Sequence, residues 1–256
     1  MWMLLCVLFY LESDIFSQEY IKSLKRITFD STVDYYPTWS PDGKYIAFGA
    51  RGPKECHVMK IPSEGGEVTQ ITNVHSGHPS WSPDGHYIAF DNYNERVVQI
   101  VSASGGIPIR IIPQAIPAIN NRHSCWSPDG LKIAFSSEGD IYVVELSTGR
   151  FDRIFQQEGI NARPFCWTPD GLKIVIDMTD TINKKDDIWI ISSDGKEFHP
   201  LTDFPGREAN PHFSPDGSMI VFMSEHSVNQ DIWIMSVNGN ELLQMTTHPG
   251  RDMNPR

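Results

Sequence analysis

The chain has little positive charge, and none of it is clustered. Of 256 residues, 21 are Lys or Arg and 32 are Asp or Glu, so the formal net charge is −11. Binding to a phosphate backbone uses grouped cations that displace counterions, so no nucleic-acid partner is expected. Cysteine is scarce as well. Cys6, Cys56, Cys125 and Cys166 fit no zinc or redox spacing. The nine histidines form no His-x-His or His-Glu-x-x-His string, so no metal ligand set is expected. Gly-x-Ser-x-Gly is missing, and so are the glycine-rich phosphate-binding motifs. No catalytic residue and no cofactor are therefore expected.

Long apolar runs are missing too. The longest, Met1 to Leu11, is too short to span a bilayer. It is similar to the apolar stretch of a signal peptide, although no Lys or Arg precedes it and no small-x-small cleavage site follows. An atypical signal peptide, the trailing end of a longer membrane anchor and an ordinary apolar segment all stay open. The expectation is export or anchoring, with membrane association through residues 1–23.

What the chain has is repetition. Trp39, Trp81, Trp126, Trp167 and Phe213 each open a (Ser/Thr)-Pro-Asp-Gly phrase, and they lie 42, 45, 41 and 46 residues apart. Short strands recurring at about 40–45 residues are the signature of a β-propeller, with one four-stranded blade per repeat. A second landmark keeps the same phase. Gly66, Gly106, Gly149, Gly195 and Gly239 lie 27, 25, 23, 28 and 26 residues after their aromatic, where a hairpin needs positive φ. Between the landmarks run apolar stretches of strand length, such as Met219–Met223 and Ile232–Val237.

The expected fold is thus all-β: a six-bladed propeller of four-stranded antiparallel blades, with its sixth blade incomplete. Blades are expected to start near 36, 78, 122, 163 and 210. Asn254-Pro255 repeats Asn210-Pro211, so a sixth blade is expected to begin at 254, with about 35–40 more residues needed to finish it at the repeat length. Residues 24–28 read as an orphan fourth strand that would close the ring and remove free sheet edges. Each aromatic is expected to fill the gap between neighbouring blades.

The phrase from Pro37 to Phe48, followed by strands such as Asp231–Met235, a glycine hairpin and Leu-Thr, resembles the propeller repeat of the TolB family. The resemblance covers roughly residues 24–256. TolB carries a separate α/β domain ahead of its propeller, and that domain has no counterpart in the stretch before residue 24. The resemblance implies a non-catalytic scaffold that binds a protein or peptide at one rim, in the periplasm or at the cell surface. Two alternatives stay open: the gating propeller of a prolyl oligopeptidase-like serine peptidase, and the sensor part of a membrane-anchored regulator.

The aspartates of the repeated phrase (Asp42, Asp84, Asp129, Asp170 and Asp216) read as turn residues rather than as a carboxylate set. Asp140, Asp187 and Asp231 are expected to bond local backbone at the start of third strands. Cys125 and Cys166 hold equivalent places before adjacent tryptophans and read as buried thiols, with a disulfide as the other option. Function is expected in the loops that cross between blades. Pro205–Pro211 and Pro249–Pro255 share a Pro-Gly-Arg-x-x-Asn-Pro pattern. Arg163, Arg207, Asn210, Arg251 and Asn254 are therefore the candidate partner-binding residues. Ile116 and Ile119, in the longest crossing loop, are a candidate apolar contact.

Overall fold

The computed structural model describes residues 25–29, 32–112, 122–227, 229–238, 241–247 and 249–256. The apolar stretch 1–23, Cys6, Ile116, Ile119, Gly239 and His248 lie outside the described residues.

Each repeated phrase closes a hairpin by the chemistry of its own residues. Ser40 Oγ donates to Asp42 Oδ1 at 2.7 Å, and the same oxygen accepts the Lys44 N–H at 3.1 Å. The Gly43 N–H returns to the Ser40 carbonyl at 2.9 Å. The pattern recurs at Ser82, Ser127, Thr168 and Ser214. The turn glycines hold φ between 69° and 73°, a region that costs residues with a Cβ.

Among the described residues the turns join twenty strands into five antiparallel four-stranded sheets. Blade 1 holds β1 (Val33–Trp39), β2 (Tyr45–Arg51), β3 (Cys56–Pro62) and β4 (Thr69–Gln70). Blade 2 holds β5 (Ser76–Trp81), β6 (Tyr87–Asn92), β7 (Val97–Ser102) and β8 (Ile109–Arg110). Blade 3 holds β9 (Arg122–Trp126), β10 (Lys132–Ser137), β11 (Asp140–Glu145) and β12 (Phe151–Phe155). Blade 4 holds β13 (Ile160–Trp167), β14 (Lys173–Asp180), β15 (Lys185–Ser192) and β16 (Phe198–Pro200). Blade 5 holds β17 (Glu208–Phe213), β18 (Met219–Ser224), β19 (Asp231–Ser236) and β20 (Leu242–Gln244).

The second strand of every blade is buried on both faces, with Phe48, Phe90, Phe135 and Phe222 at most 1% exposed. A threonine after the short outer strand caps the third strand in three blades. Thr72, Thr202 and Thr246 accept the N–H of Val58, Ile188 and Ile232, each at 2.9 Å. Between blades, three of the repeat tryptophans also reach a backbone carbonyl with the indole N–H. Trp81 donates to Thr38 O, Trp126 to Ser80 O and Trp167 to Cys125 O, all at 3.2 Å. Phe213 holds the equivalent place in blade 5 and packs there without a donor.

The expectation of six blades is corrected to five. The stretches expected to form one further blade are 24–28 and 254 onward; residues 25–28 and 254–256 belong to no strand. A blade is a ladder of mutually hydrogen-bonded strands, and neither stretch joins such a ladder. The expected closing strand instead packs Ile27 into the apolar cluster of blade 1, with Ile46, Phe48 and Ile61. Residues 251–256 pass between blades 5 and 1: Asn210 Nδ2 donates to Asn254 Oδ1 at 2.6 Å, and Arg256 Nε donates to Pro37 O at 2.6 Å.

Candidate functional site at the propeller axis

The first strands β1, β5, β9, β13 and β17 contact one another in that order, so they surround the axis. Each carries a register shift midway along its pairing with the second strand. At or beside four of these bulges a non-glycine residue takes positive φ: Tyr36 at 49°, His78 at 50°, His123 at 53° and Asn210 at 58°. Asn254 continues the series at 55°. Bulges re-aim side chains, and these turn toward each other from different blades. Ring centroids are 3.9 Å apart for Tyr36 and His78, and 4.3 Å apart for His78 and His123. Phe165 continues the cluster, 5.8 Å from His123 and 5.9 Å from His212. The Arg256 guanidinium carbon lies 5.9 Å from the Phe165 ring centre.

Buried acids hold the basic groups in place. Asp91, fully buried, places Oδ2 at 2.8 Å from His78 Nδ1 and at 3.2 Å from the His123 backbone N–H. Tyr93 Oη lies 3.0 Å from the same His78 nitrogen. Asp177, also fully buried, takes Arg163 Nε at 2.6 Å, and this carboxylate holds the guanidinium above its ordinary range. Burial, reinforced by His78, keeps His123 well below the usual imidazole range, and burial does the same for His212. Both rings therefore sit neutral at neutral pH. Burial also raises the Tyr36 phenol.

Of the five residues singled out in sequence, Arg163, Asn210 and Asn254 join this cluster. Arg207 pairs instead with Asp186 of β15 at 2.5 Å, and Arg251 is exposed. Sequence reasoning missed Tyr36, His78, His123, Phe165, His212 and Arg256 as one group. A signal was present: Tyr36-Pro37, His78-Pro79 and Asn210-Pro211 all stand three residues ahead of the blade aromatic.

The repeated aspartates are turn residues, as expected. Hydrogen bonds from Ser40 and the Lys44 backbone lower Asp42 to about 2, and the same contacts lower the other four. Asp140, Asp187 and Asp231 depart from expectation by taking side-chain partners. Asp140 meets Arg153 at 3.2 Å, Asp187 meets Lys185 at 3.2 Å, and Asp231 takes Ser227 and Gln244. Cys56, Cys125 and Cys166 are free thiols, and burial pushes Cys166 up to about 12. Among the described residues no three His, Cys, Asp or Glu side chains are placed to hold a metal ion, and no helix is long and apolar enough to cross a membrane.

The fold recurs in solved structures. A protein from Agrobacterium tumefaciens assigned as TolB is 22% identical over 87% of this chain and 83% of its own, with a TM-score of 0.74. TolB from Acinetobacter baumannii is 23% identical over 92% of this chain and 60% of its own, with a TM-score of 0.75. An oligogalacturonate lyase in complex with manganese is 17% identical over 86% of this chain and 67% of its own, with a TM-score of 0.62. At these identities the likeness is one of fold. No curated protein sequence matches the chain. The TolB beta propeller domain model matches residues 123–256, more than half of the sequence, and the chain belongs to that family.

Proposed function

We propose that this chain is a non-catalytic propeller that binds a protein or peptide partner at its axis, in the cell envelope. One observation carries the reading. Tyr36, His78, His123, Arg163, Phe165 and Asn210, from five different blades, are brought together by bulges in the innermost strands. Residues held in positive φ cost folding free energy, and packing a core does not require them. An aromatic and imidazole surface flanked by guanidinium groups is the composition that protein interfaces favour at their centres. Membership of the TolB propeller family supports both the binding role and the envelope location.

The test is affinity capture from a cell-envelope extract with the wild-type protein, with Tyr36→Ala and with Phe198→Ser. The last changes an exposed residue of the outer strand β16. A partner retained by the wild type and by Phe198→Ser, and lost with Tyr36→Ala, is expected. Equal capture by all three proteins sinks the axial reading.

A further inference from the structure

The axial cluster encloses one small gap of about 20 Å³, lined by Tyr36, His78, His123, Ser124, Phe165 and Arg256 among others. That exceeds the roughly 10–15 Å³ that a single water-sized group needs, so the gap admits the end of a ligand and not its body. Two polar atoms on its wall have no partner. Ser124 Oγ is one, on a residue 7% exposed, and His78 Nε2 is the other. Buried polar atoms without a hydrogen bond are uncommon and call for an explanation.

The wall carries hydrogen-bond donors. His78 turns Nδ1 toward the Asp91 carboxylate. A hydrogen therefore sits on Nδ1, and Nε2 is left facing the gap. Ser124 supplies a hydroxyl. Arg256 supplies a guanidinium, set by its Nε bond to Pro37 O and by the face of Phe165. Arg163 adds a second guanidinium to the surroundings of His123. A carboxylate accepts hydrogen bonds and donates none, and it supplies the charge that such donors favour. A cationic group would meet Arg163 and Arg256. A neutral amide would bring one acceptor and no charge.

We propose that the gap between His78, Ser124 and Arg256 binds one carboxylate of the axial ligand, either a chain terminus or an Asp or Glu side chain. This rests on the reading that the axis is the binding site, and it adds the chemistry of the group recognised there.

The experiment follows the ring-nitrogen resonances of isotope-labelled histidine in the full chain. Three probes are titrated: acetate, acetyl-Gly-Gly-Ala with a free C-terminus, and acetyl-Gly-Asp-Gly amide. Acetyl-Gly-Gly-Ala amide is the uncharged control. The His78 Nε2 resonance is expected to move with the carboxylates and to stay still with the control. Ser124→Ala, which leaves the packing nearly unchanged, is expected to weaken the response about tenfold, the loss of one charge-assisted hydrogen bond. In His78→Gln the response is read on His123. Movement with only the free terminus, or only the aspartate, assigns the source of the carboxylate. An unmoved resonance with all three carboxylates overturns the proposal. If the captured partner still shifts His123 while no carboxylate does, axial binding stands and the carboxylate pocket falls. If neither shifts it, both fall.

Discussion

The Asp91 carboxylate stands 2.8 Å from the His78 ring and accepts the backbone N–H of His123 through the same oxygen. One buried acid thus orients an imidazole of its own blade and anchors the first strand of the next. Replacing it by Ala removes both contacts and leaves the His123 N–H without that acceptor. Asp91→Ala is expected to cost about 1.5–3 kcal/mol, the range for hydrogen bonds to charged groups. It should also loosen the His78–His123 ring contact. Urea unfolding gives the first number and histidine resonances report the second. A loss under about 0.5 kcal/mol would show that the carboxylate does not join the blades.

The indole of Trp167 both fills space and donates to Cys125 O across the blade gap. Trp167→Phe keeps a large ring and removes the donor, so it is expected to cost about 0.5–1.5 kcal/mol. Phe213 already holds the matching place in blade 5, so the fold should survive. Trp167→Ala is expected to cost about 3–5 kcal/mol. Equal losses for the two variants would show that the hydrogen bond, and not the ring, carries the contact.

Two turn glycines separate backbone strain from packing. Gly43 and Gly217 hold nearly the same φ, 69° and 73°. A Cβ on Gly43 meets nothing, whereas one on Gly217 falls 2.8 Å from Pro169 Cδ in the preceding blade. Both alanine variants bear the roughly 1–2 kcal/mol cost of a left-handed conformation. Gly217→Ala bears the clash in addition. Thermal unfolding should place Gly43→Ala between the wild type and Gly217→Ala. The reverse order would mean that adjacent blades do not touch through these turns.

Glu208 is fully buried between blades 4 and 5 and is pushed up to about 7 from an ordinary 4.5, chiefly by burial, with Asp187 adding to it. Between those two values the folded state holds a proton that the unfolded state has released. Stability attached to Glu208 is therefore full below about 4.5 and falls as pH rises through about 7. Asp187 is raised as well and acts in the same direction. Glu208→Gln mimics the protonated form and keeps an acceptor for Ser224, which donates to Glu208 Oε1 at 3.0 Å. It should raise the urea midpoint at pH 8, on the order of one unit above the shifted value, and flatten the pH dependence below it. An unchanged slope would contradict the assignment.

Part of this molecule was open to local reading. The turn phrase, the glycine hairpins and the strand runs depend on residues within about ten positions of each other, and each works by chemistry those residues carry themselves. The role of the tryptophans between blades was also legible, because a large ring recurring at the blade period has one place to be buried. Arg207 shows where that reach ends. Its Pro-Gly-Arg-x-x-Asn-Pro context matches that of Arg251, yet it pairs with Asp186 of β15 while Arg251 stays exposed. The difference comes from the long β14–β15 hairpin of blade 4, which brings Asp186 alongside the crossing loop.

By itself, the sequence determined that this protein is a propeller of four-stranded blades, and where each blade turns, since those features are local and recur with a fixed period. Tertiary structure alone decided two things. The number of blades follows from which stretches find a neighbouring strand to share a hydrogen-bond ladder, and residues 25–29 and 251–256 find none. The composition of the axis follows from bulges that turn residues of each first strand inward. His78 and His123 stand 45 positions apart in sequence and 4.3 Å apart between ring centres, because packing blades side by side around an axis brings the innermost strands together whatever their separation along the chain.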